Sequence, residues 1–361
     1  MLSRRHLLAG LGAGVAIAAV AGVRLRRAST AGAGPCAAVA GRTIRWIVPN
    51  AAGGGYDTES RMLQPFLERR LGAEIAAANV PGAGGIIGAR AIAEARPDGL
   101  TLGIVGMPGL LLAALTGTAE APDPVRAFSV LARLGRSWHV WASGASSRLK
   151  TIGDLLEEGR RRALIFAVNE VGSANMASIT VTADLLGVDV ELVAGFAGTR
   201  PASMAALRGD VDLVCFDFET IRDLVEGGDL RPVLQVSASP ISRHVALEGV
   251  PLLGGPDGMA ARRAGLSGRS EADTQELAAA LFAVMGSGRL VVAPPGLDPG
   301  VFRCLSLALH ETLACRDVQA AAARPLDVAA AEAALADVRA ASAAAPPLQP
   351  VLIDAMRRVR H

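Results

Sequence analysis

From residue 44 onward, apolar runs of four to six residues alternate with longer stretches in which apolar positions recur every three or four residues. Residues 44–48, Ile-Arg-Trp-Ile-Val, end at Pro49 and predict a buried first strand. Met62, Phe66 and Leu67 recur at helical spacing through Arg70, and Gly72 marks the stop. Residues 74–78 predict a second strand, 86–95 a second helix and 100–105 a third strand after the Pro97-Asp98-Gly99 turn. Strands alternating with helices through short loops point to right-handed crossovers and a mainly parallel sheet.

The pattern restarts after an irregular stretch at 117–124. Residues 129–134, 140–143, 164–168, 190–193, 211–216 and 233–236 predict strands, with helices over 152–162, 174–186 and 201–208. One more strand at 290–293, a helix at 300–313 and alanine-rich helices over 328–359 complete the chain. The expected fold class is α/β with two lobes, each a mainly parallel sheet flanked by helices. Residues 41–138 with 286–361 form one lobe and 139–285 the other, a division in keeping with a length beyond what one core supports. The chain crosses near 130–140 and 285–295, leaving an interlobe cleft of the kind small ligands prefer.

The N-terminus adds localisation. Ser3-Arg4-Arg5-His6-Leu7-Leu8 places paired arginines before an apolar run at 7–23, which is followed by Arg24, Arg26 and Arg27. Residues 1–40 read as a twin-arginine export signal whose apolar run is short for a bilayer span, so cleavage is expected over anchoring and the protein should be periplasmic. Ala38-Val39-Ala40 offers one cleavage motif, with Gly41 as the new terminus, and Ala31-Gly32-Ala33 a second; Pro35 disfavours lipidation at Cys36. Removing the five arginines ahead of Gly41 turns the net charge of +2 into −3, so composition gives no support to nucleic-acid binding. Cleavage at Ala40 leaves Cys215, Cys304 and Cys315, an odd number that argues against a disulfide framework. Cys304 and Cys315 lie roughly 16 Å apart along one helix, too far to bridge, and buried small hydrophobes are the expected role.

Two glycine loops carry the candidate chemistry. Gly53-Gly54-Gly55-Tyr56-Asp57 and Pro81-Gly82-Ala83-Gly84-Gly85 each follow a predicted strand and open a predicted helix. That geometry presents free backbone N–H groups at the positive end of a helix, where an anion is the natural guest. Each hydrogen bond to a charged group contributes roughly 1.5–3 kcal/mol, so four or five support micromolar or tighter binding. Tight turns alone account for the same glycines. A dinucleotide site is the competing reading, but Ile87 occupies the third glycine position of that fingerprint and Asp98 lies in a turn.

The order of these motifs, from residues 44–49 through Gly53-Gly54-Gly55-Tyr56-Asp57 and Arg61, Asn79-Val80-Pro81-Gly82-Ala83-Gly84-Gly85 with Gly88-Ala89, to Pro97-Asp98-Gly99-Leu100, resembles the Bug-type periplasmic solute-binding receptors of tripartite tricarboxylate transporters. Gly209-Asp210-Val211-Asp212, Val250-Pro251-Leu252 and Ala293-Pro294-Pro295-Gly296 match in order as well. The resemblance implies a type II periplasmic-binding-protein fold, a small mono-, di- or tricarboxylate ligand held by the two glycine loops, and large and small membrane permease subunits as partners. The second lobe departs from it. Val171-Gly172-Ser173-Ala174-Asn175 has no histidine where many relatives carry one, and Gly195-Phe196-Ala197-Gly198-Thr199-Arg200 replaces an aromatic-lysine-glycine segment.

The candidate ligand residues are therefore Gly53, Gly54, Gly55, Tyr56, Asp57, Gly82, Ala83, Gly84, Gly85, Ser173, Asn175, Gly198, Thr199 and Asp217. Asp57 doubles as an N-cap for the N–H of residue 59 or 60, and Ser173, Asn175 and Thr199 as helix caps. Asp217 and Glu219 could accept from a ligand ammonium or hydroxyl, or end a solvated loop. Trp138, His139 and Trp141 fit core packing near the crossing. No histidine pair stands at metal-ligand spacing and no G-x-S-x-G elbow occurs, so neither an enzyme, a metal nor a cofactor is expected. The reading is a monomeric carboxylate receptor for transport, with ligand sensing or a nucleotide-dependent enzyme as alternatives.

Overall fold

The computed structural model describes residues 36–118, 120–265, 268–322 and 326–358; the paired arginines, the apolar run and the 31–33 cleavage motif lie outside them. Nearly every expected strand forms. The first lobe contains β1 (Thr43–Val48), α1 (Gly55–Leu71), β2 (Glu74–Asn79), α2 (Ile86–Ala93), β3 (Thr101–Gly106), α3 (Met107–Leu115) and β4 (Ser129–Gly135). The chain then crosses into β5 (His139–Gly144), α4 (Ile152–Glu158), β6 (Leu164–Ala167), α5 (Ala174–Leu186), β7 (Val190–Val193), α6 (Thr199–Arg208), β8 (Leu213–Asp217), α7 (Phe218–Glu226) and β9 (Leu230–Val236). After α8 (Met259–Arg262) and α9 (Glu271–Ser287) it returns through β10 (Arg289–Ala293), α10 (Pro299–Leu313), α11 (Arg316–Ala321), β11 (Ala329–Ala330), α12 (Ala331–Ala344) and α13 (Gln349–Arg357).

Two sheets result, ordered β11-β4-β10-β3-β1-β2 and β7-β6-β8-β5-β9. The β1–β2, β1–β3, β6–β7 and β6–β8 pairs are parallel, while the strands next to the crossings, β10 and β5, run antiparallel to both their neighbours. The outward and return crossings touch: Ser137 N–H donates to the Met285 carbonyl at 3.2 Å, and a Cβ on Gly288 would lie 2.0 Å from the Gly135 carbonyl oxygen. Gly288, at φ 70° and ψ −151°, holds a backbone conformation essentially open only to glycine.

The apolar core has three parts. Leu63, Leu67 and Leu71 of α1 pack with Leu305 and Leu309 of α10 against one face of the first sheet. Phe218, Ile221 and Val225 of α7 pack with Ala202 and Ala205 of α6 against the outer face of the second. Between the sheets a single cluster joins Ile47, Leu111, Ile179, Leu281, Val284 and Val338. The alternation pattern did not reveal α3, α7, α8, α9 or α11; of these α3 is buried around most of its circumference and loses the polar stripe that marks an amphipathic helix.

Cys304 is not an unpaired core cysteine. It forms a disulfide with Cys36, which overturns the expectation of no disulfide. Residues 36–42 turn onto the first lobe, with Val39 fully buried in its core, Gly41 N–H donating to the Gly72 carbonyl at 2.7 Å and Val39 side by side with Gly99. Helical distance to Cys315 was thus the wrong measure, because the partner arrives from the opposite end of the chain. Cys215 and Cys315 are free; burial pushes the Cys215 thiol up to about 12, which leaves it unreactive.

Peptide mapping of the purified protein without reductant should recover the Cys36 and Cys304 peptides cross-linked, and Cys304→Ala should lower unfolding stability by about 2–4 kcal/mol. Two separate, alkylatable thiols at these positions would refute the assignment.

Candidate functional site

The parallel register of β1 and β2 runs from Thr43↔Glu74 to Val48↔Asn79, so both strands deliver their following loops to the same end of the sheet. The two glycine turns are therefore neighbours. A Cβ on Gly88 would lie 2.7 Å from Pro49 and 2.8 Å from the Val80 carbonyl oxygen, which sets how closely α2 approaches the strand ends.

In the first turn Gly54 caps α1, and Asp57 is the third helical residue, not the N-cap expected from sequence. The buried Asp57 carboxylate reaches back to accept from Gly53 N–H at 2.9 Å, Asn79 Nδ2 at 3.0 Å and Arg61 Nε at 2.9 Å. Asn79 Nδ2 also donates to the Asn50 carbonyl at 3.0 Å. Burial pushes the Asp57 carboxyl up, but the hydrogen bonds from Arg61, Gly53 and Asn79 outweigh it and hold it below its ordinary value. Asp57 organises the turn while the exposed Gly53, Gly54 and Gly55 present its outer surface. The first amides of α1 have no intrahelical acceptors and point toward that surface. Gly54 itself is extended at φ −75°, so the positive-φ demand falls on Gly53 at φ 79°.

In the second turn Gly82, Ala83, Gly84 and Gly85 all hold positive φ, at 128°, 47°, 65° and 91°. Gly84 and Gly85 are left-handed at ψ 20° and −1°, whereas Gly82 is extended at ψ 148°, and the Gly85 N–H closes the turn on the Gly82 carbonyl at 3.0 Å. The Gly84 N–H is engaged at 2.9 Å by Glu170 of the second lobe. The first turn also faces that lobe, since a Cβ on Gly55 would lie 3.9 Å from the Thr220 methyl.

The remaining second-lobe candidates divide. Ser173 caps α5: its Oγ accepts from Met176 N–H at 3.4 Å and donates to Asn175 Oδ1 at 2.5 Å. Ser173 and Met176 line a small pocket with Leu112, Thr116, Leu352 and Met356, and Asn175 is buried. Gly198, at φ 106°, and Thr199 open α6 beyond the edge strand β7. Asp217 caps α7 through Glu219 N–H at 3.1 Å, so the expected solvated loop end is a helix start.

Asp217 also belongs to a buried polar cluster joining the lobes. Arg289, at the start of β10, places Nη1 3.2 Å from Asp217 of the second lobe and Nε 3.1 Å from Glu59 of α1. Burial pulls the Arg289 guanidinium down, yet Glu59, Asp217 and Tyr56 outweigh it and hold it above its ordinary value. The Tyr56 hydroxyl sits over Gly106, where a Cβ would approach within 2.4 Å, and Gly106 pairs with Arg289 across the sheet. His139, opposite Asp217 in the β5–β8 ladder, is buried, and burial lowers it from 6.5 to about 4 despite the Asp217 charge. Trp141 is core, edge-on to Phe166. Sequence reasoning missed Glu59, Glu170 and Arg289. Arg289 directly ahead of an apolar run was the available signal, but only strand pairing reveals its partners.

A family model described as the tripartite tricarboxylate transporter family receptor matches residues 60–254, a span that contains the second turn and starts just after the first. Protein BugT of Bordetella pertussis is 25% identical over 285 residues, covering 78% of this chain and 79% of that protein. A UPF0065 protein from the TAR-I ttuE-ttuC' intergenic region of Agrobacterium vitis is 29% identical over 171 residues, 47% of this chain and about half, 49%, of that relative's length. Among solved structures, MatC from Rhodopseudomonas palustris with bound malate superposes with a TM-score of 0.66 at 24% identity, covering 86% of this chain and 99% of that one. An R. palustris protein with adipate gives 0.67 at 20% identity, covering 86% and 97%. The two-lobed periplasmic-binding fold is common to them.

His139 supplies a pH test. Its folded value lies below its unfolded one, so its contribution is present above about pH 6.5 and is lost as pH falls through 4, about 3 kcal/mol in all. Denaturant titrations of the wild type and His139→Gln should converge as pH drops from 7 to 4. Parallel curves across that window would show that His139 is not buried neutral.

Proposed function

This chain belongs to the tripartite tricarboxylate transporter receptor family, a family of periplasmic solute-binding receptors and not enzymes, and from that premise we propose that it captures a small carboxylate in its interlobe cleft and delivers it to large and small membrane permease subunits. The observation that carries the reading is the pairing of the two turns. In-register parallel strands bring the first turn of α1 beside four consecutive positive-φ residues, an arrangement that supports a shared anion site. The ligand carboxylate would sit between the two turns, against the Gly55 and Tyr56 amides of one and the Gly82 and Ala83 amides of the other, while Gly53, Gly54, Gly84 and Gly85 shape the turns with N–H groups engaged by Asp57, Ala51, Glu170 and Gly82. Asp57 shapes the first turn from beneath. Asp217, Gly198 and Thr199 face the distal end of the ligand from the second lobe, while Ser173 and Asn175 support α5. Malate and adipate in structures of similar fold make dicarboxylates natural first probes.

The reading includes export on the twin-arginine signal followed by cleavage. A buried Val39 and a disulfide at Cys36 favour a cut after Ala33 over one after Ala40, which would remove both from the mature chain. A disulfide also suits the oxidising compartment beyond the inner membrane. N-terminal sequencing of the periplasmic protein should begin at Gly34, and a start at Gly41 would overturn this choice.

Thermal-shift and calorimetric screening with mono-, di- and tricarboxylates should identify at least one ligand that raises Tm, with no response to NAD or NADP. Gly84→Val places a β-branched residue at φ 65°, which costs about 1–3 kcal/mol locally and crowds the turn. It should weaken carboxylate binding by about tenfold or more, leaving export intact. Gly53→Val should act similarly through its positive φ, and Gly54→Val more mildly. Unchanged affinity in a folded Gly84→Val protein would place the cradle elsewhere.

A further inference from the structure

Glu170 stands out among the acidic groups around the cleft. Asp57 is saturated by Arg61, Asn79 and Gly53, and Asp217 and Glu59 share Arg289. Glu170, by contrast, is exposed and has no cationic side chain within ion-pair distance among the described residues. Its carboxylate instead crosses from the loop after β6 to the second glycine turn, where one oxygen accepts from Gly84 N–H at 2.9 Å. The other lies along the direction a Gly84 side chain would take, 3.5 Å from its ideal Cβ. The turn proposed to cradle the ligand thus already carries a negative charge supplied by the opposite lobe.

We propose that Glu170 is a specificity-determining residue that turns this cleft away from dianionic ligands and toward those that pair one carboxylate with an ammonium group. The inference rests on the carboxylate reading given above and refines its substrate class. A second ligand carboxylate reaching the distal side of the second turn would face Glu170 without a cation to compensate either charge. Two arginines that flank the turns, Arg289 and Arg61, are already committed to Glu59, Asp217 and Asp57. An ammonium at that position instead gains a partner that lacks one, and the Gly84 N–H holds that partner in place. Like charges a few ångströms apart in a partly solvated cleft alter relative affinity by about tenfold or more.

The test compares matched pairs of four to six carbons, α,ω-dicarboxylates against the corresponding ω-amino acids, by calorimetric titration of the wild type, Glu170→Gln and Glu170→Ala. Glu170→Gln keeps an acceptor for Gly84 N–H and removes only the charge. Because residue 170 is exposed, neither variant should lose its fold, and Tm reports that directly. The wild type should prefer the amino acid of the best-binding pair, and Glu170→Gln should shift the ratio of affinities toward the dicarboxylate by about tenfold or more. Glu170→Ala should shift it at least as far. A wild-type preference for the dicarboxylate, or a ratio unmoved in Glu170→Gln while both ligands still bind, overturns the role of Glu170 and leaves the carboxylate site standing. Failure of every carboxylate to bind any of the three proteins overturns the site itself and this inference with it.

Discussion

The arrangement depends on one buried guanidinium. Arg289 enters the first sheet where the chain returns from the second lobe and is balanced by a carboxylate from each side, Glu59 and Asp217. Withdrawing a charge from water is costly unless it is paired with good geometry, and removing one partner of such a group destabilises by several kcal/mol. Glu59 lies one turn after Tyr56 on α1, and Asp217 begins α7, so satisfying Arg289 brings the first glycine turn toward the second lobe. The relation between α1 and the second lobe is in this way tied to an electrostatic requirement.

In the proposed site, recognition falls to the main chain. The turn residues that face outward are mostly glycines, and the side chains nearby are spent on internal bonds: Asp57 on Gly53, Asn79 and Arg61, and Ser173 on α5. A cradle made of amides has a fixed shape and little discrimination beyond negative charge. Under the proposed reading, discrimination would rest on the second lobe, where Glu170, Thr199 and Asp217 differ in charge, which would separate holding a carboxylate from choosing which one.

The N-terminal segment is part of the same economy of packing. Residues 36–42 contribute Val39 to the first-lobe core and Cys36 to a covalent link with α10, closing a separation of 268 residues. The N-terminal end of the described chain is thereby fastened to the lobe that carries the glycine turns, while α13 packs against α5 and binds the C-terminal segment to the second lobe.

Local pattern alone determined most of the strands, the glycine turns and their order, because a run of apolar residues ending at proline or glycine has few other ways to fold. It also established the helix start at Ala174 with Ser173 as its cap, and that of α6 to within two residues. It failed for α3, whose burial around most of its circumference erased the periodic signal, and for Asp57, whose short-range role as a cap was displaced by the helix beginning two residues earlier. What only the tertiary structure decided is the pairing of distant groups: Cys36 with Cys304, Arg289 with Glu59 and Asp217, and Glu170 with Gly84. These partners are separated by tens to hundreds of residues, and their meeting follows from sheet order and the two crossings, which no window of sequence contains.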